Sequence, residues 1–316
     1  MTPRVLTAGE TMALLDPLEE GQPETGSCFR LRVAGAESNF AIALARLGVD
    51  VTWVSRLGTD PFGDLVARTI ADEGVDVRWV RRNAAAPTGA FFKLRSAGRT
   101  SVHYYRRGSA ASRLRTGDVP DEALEGVALV HLTGITMAIS ESARALVLDV
   151  ARRARERGIA VCFDPNYRPA LWSGPASARD AQAEVLPFVD WYLCGLGEGS
   201  LLFGTESAEQ LLERVCAAGA RAAAIRVGAE GALVPDGDGL ARVPVAHATA
   251  VADEVGAGDG FAAGFVYGLL QAWAPASSAA AGNLIAAAAL TGTGDWETFP
   301  RLEEVAGELE RLAARP

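Results

Sequence analysis

Gly256, Ala257 and Gly258 lead directly into Asp259, and an apolar helix carrying small residues at Gly260, Ala262, Ala263 and Gly264 follows. Glycines let backbone amides converge, and a helix N-terminus adds partial positive charge, so such a turn suits an anion. Asp259 beside it reads in two ways. It is a plain helix N-cap, stabilised by the same dipole. Or it is a carboxylate placed to accept a hydroxyl proton while the amides hold a transferring phosphoryl group, the combination that phosphoryl transfer to an alcohol requires.

The remaining chemistry-bearing residues narrow the choice by exclusion. Lys93 is the single lysine among 30 basic residues, and it sits in FFKLRS with no glycine before it. The phosphate loop GxxxxGK[ST] therefore occurs nowhere in the chain. A Schiff-base enzyme would have to use Lys93, which lies in an alternating segment with charged neighbours rather than in an apolar pocket. His103, His131 and His247 are far apart, and none has a second histidine at helical ligand spacing. A hard ion held by oxygen fits this composition better than a dedicated zinc site. Cys28, Cys162, Cys194 and Cys216 show no CxxC spacing and lie in apolar surroundings, which predicts buried, reduced thiols.

A length of 316 residues, 49% of them hydrophobic, fits one large domain or a core with a smaller insertion. The net charge of −9 and a pI near 5.0 disfavour non-specific attraction to nucleic acid or an anionic membrane surface. MTPRVLTAGE lacks a basic region followed by an apolar run, and the longest apolar stretch, near Ala286 to Leu290, is far short of a span. A soluble, cytoplasmic protein is expected.

Short apolar runs alternate with longer helical ones that end in Gly48, Gly74 and Gly158. Strands are expected at Val51 to Ser55, Val77 to Val80, ALVHLTG, IAVCFD, WYLCG, AAAIRVG and ALVP. This βα rhythm predicts an α/β fold, a doubly wound, mostly parallel sheet with helices on both faces. Residues 10–33 have no helical period, and residues 88–107 read as two β-rich runs joined by Ser-Ala-Gly, a hairpin signal. Together they read as a small β-structured lid, 10–33 and 88–107, on a core of 1–9, 34–87 and 108–316. An edge extension of the main sheet is the plainer alternative.

DEVGAGDGFAAGF resembles the C-terminal signature of the ribokinase-like, or PfkB-type, carbohydrate kinases, and AGAESNFAIALARLG with VSRLGTDPFGD resembles their N-terminal signature. The resemblance runs over essentially the whole chain. It implies a doubly wound core, a β-structured lid, ATP with Mg²⁺, and transfer of the γ-phosphate to a hydroxymethyl group. In that reading Asp259 is the base and the amides of Gly256, Ala257 and Gly258 form the anion hole. Gly35 and Asn39 match the family's sugar-binding turn, although Asn39 alone would more often cap a helix. Gly228 and Gly231 resemble the nucleotide-side turn, with Asn283 facing the same site, and Glu198 is an indirect Mg²⁺ contact.

Within the family, HYYRRGSAAS, DPNYRPALW, LCGLGEGSLLFG and GDWETFP are most similar to 2-keto-3-deoxygluconate kinases. A sugar acid carries a carboxylate, which an acidic protein repels unless local arginines bind it. Arg106, beside Tyr104 at the end of the lid hairpin, and Arg168, in the loop after VCFD, are the candidates. As plain structure, Arg168 pairs with Asp164 at the surface, and Arg106 and Tyr104 are ordinary strand residues facing water. The resemblance also implies a homodimer formed through the lid.

Four positions depart from the family pattern. Ala34 replaces the first glycine of the usual pair, Gly195 replaces an asparagine, Glu254 replaces a threonine, and Phe91 occupies a lid position that is often tyrosine. The alternatives to a sugar-acid kinase are a fructokinase or ribokinase acting on a neutral sugar, with Arg168 structural, and a non-catalytic sugar- and nucleotide-binding regulator.

Overall fold

The computed structural model describes residues 3–96, 99–245 and 255–314, with the backbone alone at 95, 96, 99 and 100. In chain order the strands are β1 (Arg4–Ala8), β2 (Met12–Pro17), β3 (Phe29–Ala34), β4 (Asp50–Val54), β5 (Arg56–Gly58), β6 (Arg81–Asn83), β7 (Ala90–Ser96), β8 (Arg99–Tyr105), β9 (Val127–Thr133), β10 (Ala160–Asp164), β11 (Trp191–Gly195), β12 (Ala222–Arg226), β13 (Ala232–Asp236) and β14 (Gly239–Val243). An eight-stranded sheet runs β14-β13-β12-β11-β10-β9-β1-β4. From β12 to β4 every neighbouring pair is parallel, and β13 and β14 close the other edge antiparallel.

Alternation along these strands builds two cores. Val5, Leu129, Cys162, Leu193 and Ala224 enter one cluster with the helices Ala36–Arg46, Ala257–Leu270 and Pro275–Ala289. Their neighbours Leu6, Val130, Phe163, Tyr192 and Ile225 enter another with the helices Glu141–Glu156 and Ala208–Ala217. Helices therefore cover both faces, as the βα rhythm predicts. Gly48, Gly74 and Gly158 close their helices at φ 80°, 85° and 70°, the left-handed region that glycine enters at little cost. The helices from Ala257 and Pro275 pack closely because both present small residues. A Cβ on Gly264 would lie 2.4 Å from the carbonyl oxygen of Ala281.

A second sheet, ordered β3-β2-β7-β8, contains the expected hairpin β7–β8, whose Ala97 and Gly98 lie outside the described residues, as do Asp253 and Glu254. Its register sorts side chains by face. Leu31, Leu15, Phe92 and His103 are successive cross-strand partners on one face, and Arg32, Leu14, Phe91 and Tyr104 on the other.

Two expectations need correction. Val77 to Val80 is a turn rather than a strand: Asp76 makes a single bridge to Thr52, and its Oδ1 accepts from the Arg78 amide at 3.0 Å, which bends the chain away before β6. Cys162 and Cys194 are buried in core strands, but Cys28 is exposed in the β2–β3 connection and Cys216 is half-buried near a helix end; all four are free thiols.

His131 sits in the core, stacked on Phe40 at 3.8 Å between ring centroids, with Nδ1 3.2 Å from the Thr7 hydroxyl. Its Nε2 is buried with no hydrogen-bond partner among the described residues. Burial pushes its pKa down to about 3. A depressed folded-state value means that the stability contribution is complete above the ordinary value near 6.5 and is lost as pH falls from there towards 3. Between pH 7.5 and 5.0, wild type should lose about 2 kcal/mol more unfolding free energy than His131→Gln, measured by urea denaturation. Equal losses would show that His131 is not the titrating group.

Candidate active site

The carboxyl ends of the core strands place their last residues around one cavity of about 660 Å³. Gly195 ends β11, Arg226 ends β12, and Asn166 and Arg168 follow β10, which is where open α/β sheets leave a crevice. Met12, Phe91, Lys93 and Tyr104 of the second sheet form an opposing wall.

Asp259 is the third residue of the helix that starts at Ala257, not its cap. The cap is Gly256, at φ 83°, and it has no side chain with which to satisfy the first amides, so those donors remain available. A Cβ on Gly256 would lie 1.9 Å from the carbonyl oxygen of Asp295, so this turn closes tightly against the 293–297 segment and requires glycine. The Asp259 carboxylate turns away from its own backbone. Asn39 Nδ2 donates to Oδ2 at 2.8 Å and Asn166 Nδ2 to Oδ1 at 3.4 Å. Burial pushes the Asp259 pKa up to about 7; Asn39 and Arg168 pull against the rise, while Asp164 and Asp295 add to it. A carboxyl poised near neutrality beside helix amides that no cap side chain occupies can move a proton where an anion is held.

Asn39 is likewise no cap. The helix begins at Ala36 behind Gly35, and the Asn39 Oδ1 accepts from the Gly35 amide at 3.4 Å while its Nδ2 reaches Asp259. Gly35 cannot carry a side chain, because a Cβ would lie 2.3 Å from the Glu10 carbonyl oxygen.

Among the described residues, three of the four cations lining the cavity are held by carboxylates. Arg106 Nε donates to buried Glu10 at 2.7 Å, and Ser109 Oγ donates to the other Glu10 oxygen at 2.5 Å. Lys93, only 1% exposed, pairs with Asp295 at 2.8 Å. Arg226 bridges Asp164 and Glu198, 3.1 Å from each. Arg168 makes no ion pair among the described residues; its Nη1 donates to the Tyr167 carbonyl at 3.4 Å. The surface pair between Arg168 and Asp164 does not form: Asp164 is buried and is held by Arg226, which ends β12, the second strand along from β10.

Tyr104 does not simply face water. It packs on Phe91 at 5.5 Å and receives the Arg106 guanidinium over its ring at 5.7 Å, and Phe91 is buried in the cavity wall. Glu198 is fully used by protein donors: Oε1 accepts from the Gly195 amide at 2.8 Å and from Arg226, and Oε2 from the Tyr167 amide at 3.0 Å. A Cβ on Gly195 would meet Glu198 at 3.7 Å, an ordinary contact, so the missing asparagine is not a steric requirement.

Gly228, Gly231 and Asn283 do not line this cavity. Asn283 instead donates to the carbonyls of Val243 and Pro244 at 2.9 and 3.3 Å, fixing the end of β14 to its helix. Gly231, at φ 95°, admits no Cβ because the Val243 carbonyl would be 2.0 Å away. The chain that continues from there, residues 246–254, lies outside the described residues. Sequence reasoning missed Glu10, Asn166, Arg226 and Asp295. Arg226 was within reach, since it ends a core strand at the carboxyl edge, the same argument that singles out Arg168.

Comparison with known proteins agrees with this geometry. Residues 2–301 match the model of the pfkB family carbohydrate kinases. The 2-dehydro-3-deoxygluconokinase of Bacillus subtilis (strain 168) is 35% identical over 306 residues, covering 96% of this chain and 94% of that protein. The crystal structure of a PfkB protein from Polaromonas sp. JS666 superimposes with a TM-score of 0.86 at 36% identity, over 97% of this chain and 100% of that one. An Escherichia coli protein assigned as a ribokinase II, solved in complex with ATP and Mg²⁺, superimposes with a TM-score of 0.87 at 25% identity, over 98% and 99%. No described helix is long and apolar enough to cross a membrane. With the signature turn, the carboxylate beside it and the whole-length match in agreement, the chain belongs to the pfkB family of carbohydrate kinases.

Proposed function

We propose that this protein transfers the γ-phosphoryl group of ATP to the terminal hydroxyl of 2-keto-3-deoxygluconate. One observation carries the choice of a sugar acid: among the described residues, Arg168 lines the cavity without a carboxylate ion pair while every other lining cation has one. A substrate carboxylate supplies the missing partner, and the influence of Arg168 reaches Asp259. The similarity to the Bacillus subtilis kinase supports the same substrate class.

In this reading the sugar hydroxyl approaches Asp259, which accepts its proton as the oxygen attacks phosphorus in line. Asn39 holds the carboxylate at Oδ2 and leaves the other oxygen more weakly bound. The amides following Gly256 stabilise charge on the transferred group. Mg²⁺ brought with the nucleotide would offset phosphate charge. Glu198, held by the Gly195 and Tyr167 amides, would contact that ion indirectly, through water. Gly228, Gly231 and Asn283 would frame the nucleotide side. The four-stranded sheet, in segments 10–33 and 88–107, acts as a lid on the core (1–9, 34–87 and 108–316) and keeps water from the phosphoryl group.

The test is ADP release with a panel of 2-keto-3-deoxygluconate, its galactonate epimer, fructose and ribose. The sugar acids should exceed the neutral sugars in kcat/KM by at least about 100-fold. A preference for fructose or ribose would reassign the substrate, and nucleotide binding without turnover of any sugar would leave a regulator.

The outward face of the lid sheet exposes Leu31 (49%) and Tyr105 (68%) beside Phe92 and His103, an apolar surface that a second copy of this chain would cover. Light scattering at micromolar concentration should give a dimer that the double substitution Leu31→Glu with Tyr105→Glu dissociates. A wild-type monomer would refute it.

A further inference from the structure

The guanidinium of Arg226 lies against the turn that the reaction uses. Its Nη1 donates to the carbonyl of Gly258 at 3.2 Å, and a Cβ on Gly258 would come within 3.5 Å of it. The plane packs over Phe261 at 5.7 Å, which fixes its direction. The same Nη1 also donates to Asp164 Oδ2, and Nη2 donates to Glu198 Oε1, each at 3.1 Å. It therefore ties two carboxylates to the turn and offsets their charge there, in a chain with no phosphate-loop lysine and whose only lysine is engaged by Asp295.

We propose that Arg226 is a positioning residue of the nucleotide site: it fixes the Gly258 peptide and screens Asp164 and Glu198 so that a polyphosphate can approach the turn. The inference rests on the kinase reading above. Its physical content is a charge balance. One guanidinium and two carboxylates sum to −1; removing Arg226 alone leaves −2 facing the polyphosphate, and neutralising Glu198 as well restores −1. Buried charges stripped of their partner act strongly on a nearby anion because little solvent screens them.

The experiment is calorimetric titration of ADP at pH 8 in EDTA, which keeps metal coordination out of the readout. Arg226→Gln should weaken ADP binding by roughly 30-fold or more, while the Kd for 2-keto-3-deoxygluconate changes less than about threefold. Arg226→Lys should stay within about fivefold of wild type, and the double substitution Arg226→Gln with Glu198→Gln should recover to the same range. Equal ADP affinity in wild type and a folded Arg226→Gln variant overturns the inference, as does a double variant no better than the single one. Should the single variant not fold, the double variant is compared directly with wild type, and a loss of about 30-fold or more there overturns screening. If wild type itself binds no ADP, the kinase reading falls; if it binds ADP but is indifferent to Arg226, only this inference does.

Discussion

Asp259→Asn should lower kcat for 2-keto-3-deoxygluconate by about 1,000-fold or more while KM changes less than about threefold. The substitution keeps the shape of the side chain and removes its capacity to take a proton. Its neighbours can still be satisfied: the amide oxygen can accept from Asn39, which now donates to the carboxylate at 2.8 Å, and Asn166 can turn its Oδ1, buried without a partner among the described residues, to accept from the new amide. The helix and the Gly256 turn should stay in place, since Asp259 does not cap its own helix. The loss is then confined to the transition state, where about 4 kcal/mol corresponds to three decades of rate. The pH profile supplies an independent check. Burial first, then Asp164 and Asp295, hold the Asp259 pKa up at about 7, so the group is protonated and inactive below that value. Wild-type kcat/KM should fall tenfold per unit as pH drops below 7, and the residual rate of Asp259→Asn should lack this limb. Retention of more than about a tenth of wild-type kcat would remove Asp259 from the mechanism.

The difference between what the sequence reveals here and what it hides follows from the range of the interactions. Gly256 to Asp259 is legible because turn, dipole and carboxylate are contiguous, and the helix boundaries because Asp60, Ser140 and Gly74 act on the nearest turn of backbone. The parallel sheet follows from periodicity, which is also local. Lys93 is the clearest failure: the alternating segment and charged neighbours around it argue against a buried pocket, yet its amine is buried, paired with Asp295, 202 residues away. No local pattern announces such a partner. The same holds for Arg106 with Glu10 and for Arg226 with Asp164, pairs made when the chain before β2 meets the end of β8 across β7 and when β12 and β10 end at one edge. Val77 to Val80 failed for a different reason. Its β-branched residues favour a strand, but the Asp76 side chain offers the backbone a turn that wins locally. Asn283 illustrates a polar residue whose hydrogen bonds are consumed by structure, which only the positions of Val243 and Pro244 disclose.

Arg168→Ala should raise KM for 2-keto-3-deoxygluconate by about 30- to 150-fold, equivalent to about 2 to 3 kcal/mol for a charge-assisted hydrogen bond, with kcat reduced far less. Turnover of a neutral sugar such as fructose, measured in the same preparation, should change less than about threefold, because no carboxylate is then present to miss its partner. The contrast among the cations decides the assignment. Lys93 already has Asp295, and Arg106 already has Glu10, so each enters the site largely neutralised. Removing either leaves a buried carboxylate facing the cavity, which disturbs both substrate classes. Removing Arg168 breaks no ion pair among the described residues, so at about pH 9, where Asp259 stays ionised without the pull of Arg168, its effect should be confined to the acid. Lys93→Met is accordingly expected to raise KM for the acid less than Arg168→Ala does. The reverse order would place the substrate carboxylate on the lid beside Lys93. Equal effects of Arg168→Ala on acid and neutral sugars would make Arg168 structural and return the choice of substrate to the neutral hexoses and pentoses.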